Sequence, residues 1–279
     1  GRPNGKDKRF SLRPVAKHLE KLMGEKIPVV EVGEVREVRE QKIIMLENLR
    51  FDNGEEENDS KFVKRLAELG DFYVNESFAA SHRNHASIIG LSKLLPHFAG
   101  LRFQKEVENL SKVFDSPKEP VVMIVGGAKE DKVEYVDKLL DRADWVLVGG
   151  LLPRWVKSYC RSSDGKICVS AARLEPSLED IDEASARNFA AILSSAGTIC
   201  WNGPMGRYEK EEFARGTEIV ARAVAGNSNA FRVVGGGDTV VCLQTLGILD
   251  TMDWVSTGGG AMLEFLIEGT LPGIEALSA

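Results

Sequence analysis

Several common kinds of site are excluded by what the chain has little of. Four histidines in 279 residues leave little material for a histidine-ligated metal centre. The four cysteines, Cys160, Cys168, Cys200 and Cys242, form no C-x-x-C pair. Three of them sit in apolar stretches, so they read as reduced core residues of a cytoplasmic protein. Aromatic residues are only 7% of the chain, and the net charge of -6 comes without a basic stripe, which excludes the electrostatic footprint of a nucleic-acid binder. No apolar run approaches the roughly 20 residues of a membrane helix. No charged-then-apolar signal segment opens the chain, whose first residue is Gly1. The motif G-x-x-x-x-G-K-S/T is absent, as are H-R-D and D-F-G, so neither a P-loop enzyme nor a protein kinase is indicated.

What is present is a regular alternation of short apolar runs with helical patterns. Strands are expected at Ile27–Val32, Lys42–Glu47, Phe72–Asn75, Val121–Val125, Trp145–Gly149, Lys166–Ser170, Thr198–Trp201, Phe231–Val234 and Trp254–Thr257. Most are continuously apolar, as in strands covered on both faces of a parallel sheet. Helices are expected at Ser11–Met23, Ser60–Leu69, Val133–Asp141, Asp182–Ser195, Glu211–Ala225, Thr239–Leu246 and Ala261–Glu268. Ser11 suits an N-cap, Pro14 the first turn and Gly24 the helix end. The amphipathic stretch Phe103–Phe114 and the turn-rich Asp115–Pro120 mark a domain boundary. The alternation predicts an α/β fold with doubly wound sheets.

Four glycine-bearing segments follow strands: Gly126-Gly-Ala-Lys129, Trp201-Asn-Gly-Pro204, Gly235-Gly-Gly-Asp238 and Ser256-Thr-Gly-Gly-Gly260. Open parallel sheets bind ligands at the carboxyl ends of their strands. Glycine lets a phosphate approach the backbone, and a helix N-terminus offers it free N–H groups. Any one such loop is ordinarily a tight turn; four in one domain point to phosphate. Lys129 suits a transferring phosphoryl group, and Asp238 suits Mg²⁺ beside it. The negative charge falls almost wholly beyond residue 110. A nucleotide bound there must rely on backbone N–H groups, a few lysines and a metal, which is what phosphoryl transfer requires.

The first part of the chain carries its own set. Arg2, Arg50 and Arg83 lie in Gly1-Arg-Pro3, Glu47-Asn-Leu-Arg50 and Ser81-His-Arg-Asn-His85. Arginines converging at strand ends suit an anion with both phosphate and carboxylate. His82 and His85 are read as solvent-facing or supporting residues. The acidic run Glu55-Glu-Glu-Asn-Asp59 is read as a solvated loop.

With these residues in view, the sequence resembles phosphoglycerate kinase along nearly its whole length. Ten segments fall in the family's order: Gly1-Arg-Pro3, Ser11–Ala16, Leu46–Phe51, Tyr73–Phe78, Ser81–Ser87, Gly126–Lys129, Trp201–Gly206, Gly235–Thr239, Val255–Ala261 and Leu271–Leu277. The resemblance implies two doubly wound, Rossmann-like parallel-sheet domains facing a cleft. Residues 1–102 would bind 3-phosphoglycerate through Gly1, Arg2, Arg50 and Arg83. Residues 103–115 would form the interdomain helix, and 116–268 would bind ADP or ATP. Residues 269–279 would return to the first domain. It further implies that Lys129, Gly259 and Gly260 serve the phosphoryl group in flight. Gly127, Lys132, Asn202, Pro204, Glu209, Gly236, Gly237, Asp238 and Thr239 would hold nucleotide, with Asp238 on Mg²⁺. The implied enzyme is a cytoplasmic monomer of glycolysis exchanging phosphate between 1,3-bisphosphoglycerate and ADP.

The sequence also departs from the family. The family's strand and helix ahead of Gly-Arg-Pro, with a substrate-contacting segment and a transition-state arginine, would precede Gly1, so the chain is read as an N-terminally truncated member whose complete form is active. Lys129 and Lys132 are three residues apart where four is usual, a rotation of about 100° at a helix start. The stretch from Gly149 to Trp201 is much shortened, the loss falling near Tyr159–Lys166, and the expected Gly-Pro-Lys-Thr is missing. Glu76-Ser77 and Ala79-Ala80 replace Asp-Ala and Gly-Thr. The alternatives are a non-catalytic remnant that binds nucleotide or phosphoglycerate, and an acyl-phosphate kinase for another small acid.

Overall fold

Proline and glycine bracket the first helix as their backbone limits require. In the computed structural model, which describes residues 1, 3, 5–38, 40–162 and 167–278, α1 spans Arg13–Met23 with Pro14 in its first turn. Gly24 ends it in the left-handed conformation, φ 69°. Ser11 is not its N-cap. That position is Leu12, whose amide donates to the Glu47 carboxylate (2.7 Å), which also takes the Ser11 hydroxyl proton (2.7 Å). A remote carboxylate has taken the capping work.

Two units follow from the packing. The first comprises Gly1–Glu76, Arg83–Gly100 and Pro272–Ala279. Among the described residues its strands pair in twos, β1 (Val29–Val30) with β2 (Met45–Leu46), both preceding the short α2 (Asn53–Glu56) and α3 (Ser60–Ala67), then β3 (Tyr73–Asn75) with β4 (His97–Ala99). Both pairs are parallel. Asp59 caps α3 through the amides of Lys61 and Phe62. Its apolar face, Phe62, Val63 and Leu66, closes on Ala86. The strands are shorter than the apolar runs that predicted them, and β4 was not expected at all. Three residues behind Pro96 make a strand only because β3 lies beside them.

The second unit comprises Ser77–His82 and Leu101–Leu271. It opens with α4 (Leu101–Ser111) and builds one seven-stranded sheet. In chain order it runs β5 (Val121–Val125), α5 (Val133–Leu139), β6 (Trp145–Val148), β7 (Tyr159–Cys160), β8 (Cys168–Ala171) and α6 (Glu183–Ser194). It continues through β9 (Thr198–Asn202), α7 (Arg215–Gly226), β10 (Phe231–Gly235), α8 (Gly237–Thr245), β11 (Trp254–Ser256) and α9 (Gly259–Glu268). The spatial order is β11-β10-β9-β5-β6-β8-β7, parallel except for β7. The order reverses between β5 and β9, the place where such sheets bind ligands. Both of these strands are buried at every residue. Trp201, Phe189, Leu193, Val220 and Val224 fill the layer beneath α6 and α7. The helix expected over Glu211–Ala225 divides into a 3-10 turn, Glu211–Phe213, and α7. The last helix, α10 (Pro272–Glu275), packs in the first unit against a π-helical turn at Ala86–Gly90.

The cysteine reading is corrected. Cys160 and Cys168 face each other across the antiparallel β7–β8 pair and form a disulfide. Directly opposed residues bring their Cβ atoms together, a proximity that their spacing of eight residues concealed. Cys200 and Cys242 are free and buried, and burial pushes their thiols up to about 12 and about 11, where they are inert. Among the described residues between β6 and β8 there is no α-helix, only a 3-10 turn at Leu152–Arg154 and β7. The start of the strand expected at Lys166–Ser170 lies outside the described residues, and the strand itself begins at Cys168.

Candidate functional site

The loops after β5, β6 and β9 are tied to one another by their own backbones, and the loop after β10 is joined to them through two side chains. Gly126 N–H donates to the Asn202 carbonyl (2.8 Å), Gly127 N–H to Pro204 (2.9 Å) and Gly150 N–H to Met205 (2.9 Å). Gly203, at φ 95°, donates its N–H to the Thr239 hydroxyl (2.7 Å). The Asn202 amide donates to the Gly235 carbonyl (3.2 Å). Four strand ends therefore form one surface. Bulk is excluded from it, since a Cβ on Gly126 would meet the terminal methyl of Met205 at 2.5 Å and the Gly203 carbonyl at 2.6 Å.

Lys132 is the hub of this surface. Its ammonium donates to the Gly126 carbonyl (2.9 Å) and to Asn202 Oδ1 (2.6 Å). Burial lowers its pKa to about 8; Asp131 and Asp238 act to raise it, and Lys129 to lower it. Lys129 and Asp238 therefore each lie within electrostatic reach of Lys132. Lys129 and Asp238 are themselves exposed. Two of the three ammonium protons are engaged within the protein, which leaves one for a ligand.

Two helices begin at this surface. α8 starts at Gly237 after Gly236, φ 95°, with Asp238 and Thr239 next. α9 starts at Gly259 after Gly258. Neither has a side-chain cap, so the first amides of both remain available to an anion. A Cβ on Gly259 would lie 2.6 Å from the Asn202 amide nitrogen and 2.7 Å from Gly236 Cα, so α9 begins against the same cluster. Thus Gly127, Lys132, Asn202, Pro204, Gly236, Gly237, Asp238, Thr239, Gly259 and Gly260 come together. The Thr239 hydroxyl is turned inward to Gly203, leaving its amide as the group offered to a ligand. Glu209 lies exposed beyond the β9 loop, near enough to Tyr208 and Cys242 to raise both their pKa values.

Several supporting residues escaped the sequence reading. Glu106, fully buried in α4, accepts from Trp254 Nε1 (2.9 Å), the Thr257 amide (2.7 Å) and the Thr257 hydroxyl (2.7 Å). Arg102 stacks over Trp254 at 4.1 Å and donates to the Val255 carbonyl (2.5 Å). α4 thus holds the glycine loop that starts α9. Thr217 and Asp180, described below, hold the β9 loop. A Glu in an amphipathic helix reads as solvent-facing, which hid Glu106.

In the first unit, Arg50 donates to the Gly1 carbonyl (2.8 Å) and lies 3.4 Å from Glu56. Burial holds the His85 pKa below its usual value, and Arg50 and Arg83 add to that while Glu56 opposes it. Both guanidiniums therefore lie around one neutral, buried imidazole. His85 stands 3.6 Å from Glu55, and its neutrality makes this a polar contact and not an ion pair. Arg2 falls outside the described residues. The acidic run is corrected at its first residue: Glu55 is 3% exposed and accepts from the Ser87 hydroxyl (2.6 Å) and amide (3.1 Å). Charge alone could not show that Ser87 would be there to receive it.

Among the described residues, no group of three or more His, Cys, Asp or Glu could hold a metal without help. Mg²⁺ commonly takes one or two carboxylates and completes its shell with substrate phosphates and water, and the exposed Asp238 beside two helix N-termini fits that pattern. No helix among the described residues is long and apolar enough to cross a membrane.

The sequence matches the phosphoglycerate kinase family model over residues 1–161 and 156–269. The two matched segments overlap at residues 156–161, across β7. A phosphoglycerate kinase of Moorella thermoacetica is 38% identical, with 100% of this chain and 84% of that protein aligned. One from Thermus thermophilus is 36% identical over 99% of this chain and 85% of its own length. Among solved structures, the phosphoglycerate kinase of Coxiella burnetii superposes with a TM-score of 0.77 at 32% identity, covering 100% of this chain and 84% of that one. The phosphoglycerate kinase from Pyrococcus horikoshii gives 0.81 at 28% identity, with the same coverage. Loops, helix starts and sequence agree, and the chain belongs to the phosphoglycerate kinase family.

Proposed function

We propose that the second unit binds ADP or ATP on the surface built around Lys132, and that the first binds 3-phosphoglycerate or 1,3-bisphosphoglycerate through Gly1, Arg2, Arg50 and Arg83. The activity of the family is reversible phosphoryl transfer between 1,3-bisphosphoglycerate and ADP, giving 3-phosphoglycerate and ATP, a step of glycolysis. The observation that carries the residue assignment is the convergence of Lys129, Lys132, Asp238 and two uncapped helix starts. The amides at Gly237–Thr239 and Gly259–Gly260 receive phosphate oxygens. Lys129 and the free proton of Lys132 neutralise their charge. Asp238 holds Mg²⁺, which supplies further neutralisation when bound. Positioning and charge neutralisation are the main needs of this chemistry. Asn202 and Pro204 shape the floor, and Glu209 reaches the ribose. The connection is α4, which overlaps the expected 103–115 but begins at Leu101, and of the expected tail 269–279 the part from Pro272 falls in the first unit, read here as the substrate domain. Each unit carries its own anion-binding groups, which supports a monomer as the working form, and the supply of nucleotide supports the cytoplasm as its place.

Steady-state kinetics separate the roles. Arg50→Ala should raise the KM for 3-phosphoglycerate by about tenfold or more, one lost charge-assisted pair, and leave ADP binding unchanged. Asp238→Ala should raise the KM for Mg-nucleotide and leave 3-phosphoglycerate unchanged. The reverse pattern would mean that the units are misassigned. ADP binding without turnover would identify a binding remnant, and preference for another acid in a substrate panel would identify a different acyl-phosphate kinase.

A further inference from the structure

The amides of Met205 and Gly206, in the turn after β9, both donate to one atom, the hydroxyl oxygen of Thr217 (3.0 and 3.2 Å). Thr217 is fully buried, the third residue of α7. α7 itself has no local side-chain cap; its N-cap is Ala214. Instead the buried carboxylate of Asp180, from the segment ahead of α6, accepts the Gly216 amide (2.8 Å) and the Ile181 amide (2.8 Å). Neither Gly206 nor Gly216 has room for a Cβ against that carboxylate. Asp180 therefore fixes the start of α7, and α7 carries the hydroxyl that fixes the turn.

The turn matters because Met205 is wedged beneath the other loops. Its side chain is fully buried and occupies the space that a Cβ on Gly126 or Gly149 would need. Its carbonyl accepts the Gly150 amide, and the neighbouring Pro204 carbonyl accepts the Gly127 amide. A shift of Met205 must move the loops after β5 and β6 together, since close-packed interiors transmit displacement.

We propose that Thr217, anchored through the Asp180 carboxylate, is a positioning residue for nucleotide: it sets the height of Met205 and thereby the geometry of the Gly126–Gly127 and Gly149–Gly150 loops. This rests on the reading of those loops as the nucleotide surface. Thr217 itself makes no contact with ligand. Its removal strands two backbone amides, one of them buried with it, and the loops lose their common floor.

The test compares Thr217→Val, which keeps the shape and removes the acceptor, with Thr217→Ser, which keeps the acceptor. ADP affinity is measured by calorimetry, and KM for each substrate by coupled assay, well below each variant's own Tm. Thr217→Val should weaken ADP binding about tenfold, the equivalent of one lost hydrogen bond of middling strength, and leave the KM for 3-phosphoglycerate within about twofold. Thr217→Ser should restore most of the loss. Asp180→Asn, which keeps one of two acceptors, should move ADP binding the same way by less, and it carries the test if Thr217→Val does not fold. Wild-type ADP affinity in a folded Thr217→Val, or equal losses for both substrates, overturns the proposal. Asp238→Ala is the control for the underlying reading. If it abolishes ADP binding while Thr217→Val and Asp180→Asn do not weaken it, the nucleotide surface stands and the positioning role falls. If the wild-type chain does not bind ADP, both fall.

Discussion

Lys132 shows how a single displaced residue acquires a new environment. Three residues after Lys129, its ammonium is drawn in among the loop carbonyls, and burial takes its pKa from 10.5 to about 8. The sign of the consequence is definite. Between pH 8 and the unfolded value of 10.5, the unfolded chain holds a proton that the folded chain has shed, so this group makes the fold more stable as pH rises through that window. Anion binding goes the other way, because it needs the cation. ADP affinity should fall as pH climbs past about 8, and Lys132→Arg, which keeps its charge, should lack that fall; calorimetry at pH 7 and pH 9 would check this. At this scale the sequence was only half legible. Gly126–Lys129 and Gly235–Thr239 advertise themselves, because only glycine fits where these strand ends pack against one another. Thr217 and Asp180 do not. A threonine in a helix's first turn and an aspartate two residues before another cap, Asp182, are unremarkable until the fold brings them together.

At the scale of elements, strands that are buried at every residue declare themselves in one dimension, and β5 and β9 fall where their apolar runs predict. β4 and β7 exist only by virtue of a neighbour, so nothing local foretells them. Helices behaved likewise. α4 was expected from its amphipathic pattern, but the pattern could not reveal that Glu106 points to the β11–α9 loop. That carboxylate serves two residues through three hydrogen bonds. Glu106→Ala should lower the unfolding free energy by about 3 kcal/mol, as expected for loss of a buried, charge-assisted cluster. Urea titration followed by tryptophan fluorescence would report it, since Trp254 is one of the partners. Glu106→Gln, which keeps an acceptor, should cost clearly less.

At the scale of the whole molecule, the chain passes between its two units four times, at residues 76–77, 82–83, 100–101 and 271–272. The last passage delivers α10 to the π-helical turn at Ala86–Gly90, three residues beyond Arg83. Deleting residues 272–279 should therefore loosen the first unit and raise the KM for 3-phosphoglycerate, while ADP affinity stays within about twofold, as for distant independent sites. Hydrogen exchange would show lost protection around 84–90 and little change in β5 or β9. Equal loss throughout would mean that the units do not unfold separately. The existence of two units could be read from the order of motifs. Of the interleaving of their chain segments, the return of the C-terminal residues followed from the resemblance, whereas the passage of Ser77–His82 into the second unit did not, because it depends on which surfaces close on one another.

The disulfide-strapped hairpin bears on how these molecules behave in a crowd. A parallel sheet whose outermost strand is bare offers its row of unpaired amides to any neighbour, the usual start of edge-to-edge growth. Here the outermost strand is β7, two residues long, reversed in direction and bonded covalently to β8 at its own register. It is too short to template a partner strand and too firmly held to peel away. On the β8 side of the sheet, the two residues of β7 and their bond from Cys160 to Cys168 make a stop against self-association.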